Sequence, residues 1–251
     1  MTWDPAQYER FADERLRPAI ELISRIGGDP RDIWDLGSGT GSVTRLLVER
    51  FPGAAIHGLD SSPEMLEMAR RIPRVDWVEG DIVDWVPADP PDLVFSNATL
   101  HWLGDHGRLF PRLAETVATR GTFAVQMPRN FGEPSHLLLA EMAGSPRWRD
   151  RTRAVRTPEP VAEPSRYHAD LRQHFDRLDI WETVYLQILS GPNPVAEWAR
   201  GTALRPYLDV LGEAADDFVA EYTARLAAAY PALDDGTTPF PFRRLFIVGT
   251  R

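Results

Sequence analysis

The sequence predicts an α/β fold with a doubly wound, mainly parallel sheet. Two observations lead there. From residue 31 to residue 128, short apolar runs of strand length alternate with amphipathic segments of helical period. Within that stretch, DIWDLGSGTG at residues 32–41 reads as the end of a buried strand, a glycine turn and the start of a helix. The chain's 251 residues suffice for one sizeable domain, or for one domain carrying a subdomain.

Each element has a local cause. Leu16, Ile20, Leu22, Ile23 and Ile26 repeat in helical period across 15–26, and Gly27, Gly28 and Pro30 end the helix. Ile33, Trp34 and Leu36 form strand one. Val43, Leu46 and Leu47 give the helix 42–50 its inner face, and Pro52-Gly53 turns the chain. Strand two runs over 54–59 and ends at Asp60. Ser61, Ser62, Pro63 and Glu64 then start a helix with hydroxyl, proline and acid in order. A short strand at 75–78 precedes the loop Gly80-Asp81-Ile82. Leu93 to Phe95 make strand four, ending at Ser96 and Asn97; 109–117 is helical and 121–127 is strand five. After Pro128 the pattern changes. Residues 134–142 read as a helix, and 144–164, rich in proline, arginine and glutamate, as a long loop of active-site type. A helix over 165–175 leads to strand six at 179–189. Segments 194–201 and 214–230 are helical, and FRRLFIVG at 242–249 is the last strand. The segment between these last two strands is too long for a hairpin turn. It therefore predicts an added helical layer over the carboxyl ends of the strands. The division expected is an N-terminal helical segment 1–30, a core 31–128, a cover 129–178, strand six within 179–190, a helical cap 191–240 and a final strand within 241–251.

Composition excludes several functions. No apolar run approaches a membrane span. The start MTWDPAQYERFADE lacks the apolar core of a secretory signal, which predicts a cytoplasmic protein. Cysteine is absent, so disulfides, thiolate zinc sites and thiol catalysis are excluded, and no other metal-ligand motif is present. A net charge of −9 argues against nucleic-acid binding. All 28 basic side chains are arginine, the residue suited to bidentate carboxylate or phosphate recognition.

The glycine turn points to a nucleotide-like ligand, and four features select S-adenosylmethionine over a dinucleotide. Asp35 precedes the glycines, where an acid can accept from an ammonium group. The spacing is DxGxGxG through Gly37, Ser38, Gly39 and Gly41, not GxGxxG. Asp81-Ile82 follows strand three, where an adenine amine and ring edge fit. Strand four leads into NATLHWL, whose Asn97 can reach cofactor or substrate. Asp60, 19 residues after Gly41, suits two ribose hydroxyls, with Ser61 beside it, and can equally cap the next helix.

These residues resemble the class I S-adenosylmethionine-dependent methyltransferases over about 30–128. The resemblance implies strand order 3-2-1-4-5-7-6, with strand seven antiparallel between five and six. It also implies methionine held by Asp35, Gly37, Gly39 and Gly41, ribose by Asp60, and adenine by Asp81 and Ile82. WDPAQYERFADERLRPAIELISRI, FSNATLHWLGDHGRLFPRLAETV, VQMPRNFGEPSH and FPFRRLFIV extend the likeness over almost the whole chain. They are similar to a branch of that family whose acceptor is a small polycarboxylate. No protein partner is implied.

Carboxylate methylation needs no general base, since the acceptor is already ionised. The sequence agrees: it shows no Ser-His-Asp arrangement, no HExxH and no paired catalytic carboxylates. The expected work is positioning. Asn97 and His101, beyond strand four, are the candidates for a direct role. The substrate-binding candidates are Tyr8, Arg15, Arg129, Phe131, Tyr167, Trp198, Arg205, Tyr207 and Arg243, with Arg129, Arg205 and Arg243 foremost for the carboxylates. Arg243 and Arg244 lie on opposite faces of the last strand, so only one is expected to face the site. Arg244 is the expected surface charge.

Overall fold

The computed structural model describes residues 12–157 and 159–251, the side chains of 12–15 excepted. The elements, in order, are α1 (Ala12–Ser24), β1 (Asp32–Leu36), α2 (Ser42–Arg50), β2 (Ala55–Asp60), α3 (Pro63–Ala69), β3 (Asp76–Glu79), β4 (Leu93–Asn97) and α4 (His106–Thr116). There follow β5 (Thr122–Pro128), α5 (Pro134–Gly144), α6 (Arg149–Thr152), α7 (Pro164–Leu171), β6 (Arg177–Leu189), α8 (Pro194–Arg200), α9 (Arg205–Leu211), α10 (Ala215–Ala229) and β7 (Thr238–Thr250). The seven strands form one sheet in the order β3-β2-β1-β4-β5-β7-β6, the order that the resemblance implies. β1 to β5 pair in parallel and β7 runs antiparallel to β5.

The chain forms two compact units. The first comprises residues 15–128, 159–183 and 244–251; the second, among the described residues, 12–14, 129–157 and 184–243. The chain passes between them within β6, after Thr183, and within β7, before Arg244.

In the first unit, β4 and β5 are buried along nearly their whole length, as strands covered on both faces must be. Phe110 of α4 packs on Phe123 and on Tyr167 of α7, covering one face. On the other face, Trp181 stacks on Phe246 at 4.8 Å and donates its indole N–H to Glu21 of α1 at 2.9 Å. Thr183 donates to the same carboxylate, so one acid from α1 pins the start of β6. Gly249 has no alternative residue: an added Cβ would lie 2.5 Å from the Phe175 ring.

The second unit has its own core, built from Leu139, Met142, Trp148, Trp198, Tyr207, Phe218, Tyr222, Phe240 and Phe242. The N-terminus of α5, which has no side-chain cap of its own, is tied by α10 and the residue that follows it. Tyr222 donates to the Ser135 carbonyl at 2.7 Å, and the Tyr230 hydroxyl accepts from the Ser135 amide at 3.1 Å. Here the sequence expectation changes. The stretch read as a long loop contains α6, and Trp148 within it is a core residue, edge-on to Phe218 and donating to Glu221 at 2.9 Å. Its periodicity is invisible because its partners lie on α10, far along the chain.

Candidate cofactor and acceptor site

The glycine loop is held open by its own chemistry. Gly37, Gly39 and Gly41 all have positive φ, the region closed to most side chains. Their surroundings differ. A Cβ on Gly37 would lie 2.1 Å from the Thr99 side chain and one on Gly41 2.7 Å from Ile72 and Trp77, whereas Gly39 faces open space. Two glycines are therefore needed for packing, and the third leaves room against the backbone. The loop is anchored at both sides. The amides of Gly37 and Ser38 donate to the Leu59 carbonyl, and Thr99 donates to the Gly37 carbonyl at 3.0 Å. No side chain caps the N-terminus of α2, so its first-turn amides remain for a ligand.

Asp35 is buried in β1 and accepts from the Thr44 hydroxyl at 2.6 Å. Burial pushes its carboxyl up to about 7; the Thr44 hydrogen bond pulls the other way, and the Asp60 charge adds to the rise. A buried acid poised in this way is matched by a cation, such as the ammonium of a methionyl group. Asp60 accepts from the Gly39 amide at 2.8 Å through one oxygen and from the Ser62 amide at 2.9 Å through the other. It thus braces the loop and the start of α3, leaving each oxygen a further lone pair for a diol. Ser62, not Ser61, is the helix cap, accepting from the Met65 amide. Asp81 closes a turn by accepting from the Val83 amide, and Ile82 is buried beside it. Ser38 is buried with its hydroxyl unbonded. The donor set, the opening at Gly39 and this unpaired hydroxyl together fit an adenosyl-methionine ligand.

The end of β4 carries strain. Ala98 has φ 53° and donates its amide to the Gln126 carbonyl at 2.9 Å, a kink that sends Thr99 back to Gly37. Asn97, before the kink, has an unpartnered buried Oδ1, and His101 is buried in the single 3-10 turn that follows, its ring 4.8 Å from that of Trp102.

Sequence reasoning missed three residues of this unit. Arg112 of α4 donates to the carbonyls of Ile82 and Trp85, at 2.6 and 2.8 Å, fixing the loop after β3. Gln126 is fully buried on β5 with neither amide atom hydrogen-bonded. An unpaired buried amide costs about 1–3 kcal/mol. Arg244, expected at the surface, is buried instead: it shares its face of β7 with Phe246, over which Trp181 stacks, tied to Glu21 of α1. A polar residue in an apolar strand was the available signal for Gln126.

The acceptor candidates divide among three places. Tyr8 lies outside the described residues, and Arg15 lies in α1 with its side chain likewise outside them. Tyr167 is in the first unit, buried, with its hydroxyl 2.6 Å from Nδ1 of His106, whose Nε2 donates to the Leu100 carbonyl. That bonding gives Tyr167 a packing and orienting role within the unit. In the second unit, Arg129 and Arg243 are neighbours: the Arg129 amide donates to the Arg243 carbonyl, and Asn130 bonds both the amide and the carbonyl of Arg243. Arg243 also pairs with Glu133 at 3.5 Å. Phe131 packs 5.4 Å from His136, which burial holds neutral with its pKa pushed down to about 4. Arg205 pairs with Asp209 one helical turn on. Trp198 and Tyr207 are core residues, against Phe240 and Phe242 and against Phe218 respectively.

Residues 33–121 match a family described as a methyltransferase domain. Trans-aconitate 2-methyltransferase of Azoarcus sp. (strain BH72) is 44% identical, over 100% of this chain and 99% of its own. That of Methylobacterium nodulans is 48% identical, over 99% and 98%. The chain belongs to the trans-aconitate 2-methyltransferase family. Among solved structures, the YcgJ protein of Bacillus subtilis shares the fold at 14% identity, with TM-score 0.61 over 93% of this chain and 97% of its own. So does a Haemonchus contortus phosphoethanolamine N-methyltransferase 2 in complex with S-adenosyl-L-methionine, at 17% identity and TM-score 0.55 over 92% of this chain and 51% of its own. Members of the trans-aconitate 2-methyltransferase family match this chain from end to end, so the similarity takes in both units. Among the described residues, no helix is long and apolar enough to cross a membrane.

Proposed function

We propose that this chain transfers the methyl group of S-adenosylmethionine to a carboxylate of trans-aconitate, giving a monomethyl ester and S-adenosylhomocysteine. The observation that carries the reading is the end-to-end identity with relatives bearing that activity in their names. When bound, S-adenosylmethionine supplies a methyl carbon already activated by its sulfonium, and an ionised carboxylate attacks it without losing a proton. The chain's work is then to hold two charged molecules in line and keep water out. Asp35 meets the ammonium, the Gly39 backbone and the first turn of α2 take the methionyl carboxylate, and Asp60 with Ser61 takes the ribose. Ile82 packs on the adenine with Asp81 at its amine. Asn97 lies where donor and acceptor meet. Arg129, Arg205 and Arg243 are the cations assigned to the acceptor's carboxylates, with Tyr8, Arg15, Phe131, Tyr167, Trp198 and Tyr207 shaping or supporting the acceptor's surroundings. We place this small-molecule enzyme in the cytoplasm, acting on neither nucleic acid nor membrane.

A methyl-transfer assay tests the reading. Labelled S-adenosylmethionine is offered with trans-aconitate, cis-aconitate, citrate and isocitrate. The expected result is strong preference for trans-aconitate and release of the label by mild base, as a methyl ester requires. Tight cofactor binding with no acid labelled would reject the acceptor.

A further inference from the structure

Four adjacent strands present one continuous face, which strand register identifies. Residues paired across a sheet share a face, as do alternate residues along a strand. Asp35 pairs with Phe95, so Asp35, Phe95 and Asn97 lie together. Asn97 pairs with Gln126, and Gln126 with Phe246. Pro128 pairs with Arg244, which puts Arg244 on that face as well, one alternation along β7 from Phe246. The face that carries the ammonium-matching acid on β1 therefore continues through Asn97 on β4 to Gln126 on β5 and Arg244 on β7. Asn97, Gln126 and Arg244 all stand at the end of the sheet where the glycine loop leaves β1.

Two side chains of this row carry buried polar atoms that the fold leaves without a hydrogen bond. Gln126 is wholly buried, and neither its Nε2 nor its Oε1 is hydrogen-bonded; Asn97 Oδ1 is in the same condition. Arg244 is 6% exposed, an unusual place for a guanidinium in a sheet interior. A leucine at 126 would fill the same volume without an unmet amide. The methyl donor does not explain the row either. Its ribose and adenine positions, Asp60 and Ile82, follow β2 and β3, on one side of β1. Gln126 and Arg244 lie on the other side, two and three strands away, at about 10 and 14 Å from the strand spacing. That side carries none of the residues assigned to the donor's ribose and adenine, which leaves it to the acceptor.

We infer that Gln126 and Arg244 form a carboxylate-binding pair for the acceptor, Arg244 supplying charge and two parallel N–H groups and Gln126 Nε2 donating to a carboxylate oxygen. This rests on the proposed function and names two further recognition residues for the acceptor, both within the first unit. The pairing matches the ligand's chemistry: a fully ionised tricarboxylate offers acceptors only, so it uses the amide's N–H groups. Gln126 Oε1 then needs a protein donor, and the guanidinium of Arg244 is the donor chemistry on the same face. Holding one carboxylate here fixes which of the others meets the methyl group.

The experiment compares wild type, Gln126→Leu, Arg244→Gln and Arg244→Lys. It measures kcat and KM for trans-aconitate, KM for a dicarboxylate analogue lacking one carboxyl group, calorimetric binding of S-adenosylhomocysteine, and melting temperature. Gln126→Leu is expected to raise KM for trans-aconitate about tenfold or more, as loss of a hydrogen bond to a charged group does. Its melting temperature should hold or rise, and S-adenosylhomocysteine should bind as before. Arg244→Gln should erase most of the preference for the tricarboxylate over the dicarboxylate, and Arg244→Lys should restore part of it. A purely structural role predicts the reverse for Gln126→Leu: unchanged KM whatever happens to melting. That outcome in an active protein overturns the assignment alone. Wild type that binds S-adenosylhomocysteine but leaves trans-aconitate unmethylated overturns the proposed function and this assignment together. Should Arg244→Gln fail to fold, Gln126→Leu still decides the matter.

Discussion

The two units of the chain use sequence in different ways. In the first, each feature is encoded within a few residues: a glycine at a positive φ, an acid closing a strand, a hydroxyl and proline opening a helix. In the second, almost nothing is local. Trp148 is held by Phe218 and Glu221, and Ser135 by Tyr222 and Tyr230, so the meaning of each residue depends on another far along the chain. The first unit is written in motifs and the second in packing. Perturbing them should therefore have different consequences, and the largest effects separate them best.

Trp148→Ala removes a buried ring, its hydrogen bond to Glu221 and the stacking surface for Arg147. It should cost about 3–5 kcal/mol of stability. Binding of S-adenosylhomocysteine to the protein that remains folded should hardly change. Urea unfolding followed in parallel with calorimetry checks both halves. A large loss of cofactor affinity in the folded variant would mean that the two units are not separable in function.

The glycine loop offers a sharper contrast, because two of its residues share a conformation and differ in surroundings. Gly37→Ala drives a methyl group into Thr99 and should destabilise the fold by about 2–5 kcal/mol, combining overpacking with left-handed strain. Gly39→Ala meets nothing in the ligand-free chain, so only the backbone strain remains, about 1–2 kcal/mol. Its effect should fall on cofactor binding instead, since the added methyl occupies space the ligand needs. Melting temperature and S-adenosylhomocysteine affinity, measured on both variants, should rank them in opposite order.

Asp35 adds a pH dependence with a definite sign. Its folded carboxyl sits at about 7, above the ordinary 3.8, so the ligand-free fold is favoured by its proton at low pH and loses that contribution as pH rises from about 4 to 7. A cationic ligand favours the ionised form and acts oppositely. Affinity for S-adenosylhomocysteine should therefore strengthen as pH rises toward 7, by roughly tenfold per unit between pH 5 and 7, then level off. Asp35→Asn should bind weakly with a flat profile. A sloping profile in that variant would assign the titration to another group.

How far the sequence could be read follows from the same distinction. The parallel sheet and the cofactor loop were legible because alternating apolar runs and the DxGxGxG spacing are local properties, and the resemblance supplied the strand order, the position of β7 included. Arg244 was misread for a physical reason: a charged residue near a strand end is usually solvated, but this one shares a face of β7 with Phe246, which Trp181 and its tie to α1 cover. Trp148 was passed over because no period surrounds it. Arg112 is a surface-type residue on an amphipathic helix, and nothing nearby in sequence announces that it reaches the carbonyls of Ile82 and Trp85. Arg112→Ala should loosen that loop, costing about 1.5–3 kcal/mol for the charged hydrogen bonds. It should weaken cofactor binding more than it changes KM for trans-aconitate, which binding and steady-state kinetics would show.

The smallest effect probes whether strain after β4 serves the site. Ala98 adopts a left-handed conformation that glycine would take without penalty, so Ala98→Gly should stabilise the fold by about 1 kcal/mol. The natural residue forgoes that gain. Its Cβ restricts the backbone that joins Asn97 to Thr99, and Thr99 in turn holds the Gly37 carbonyl. If this stiffness keeps donor and acceptor in line, Ala98→Gly should melt higher while turning over more slowly, with cofactor affinity little altered. A variant that is both more stable and equally fast would show that the glycine loop is held by its own hydrogen bonds, and that the kink is only the path by which the chain leaves β4.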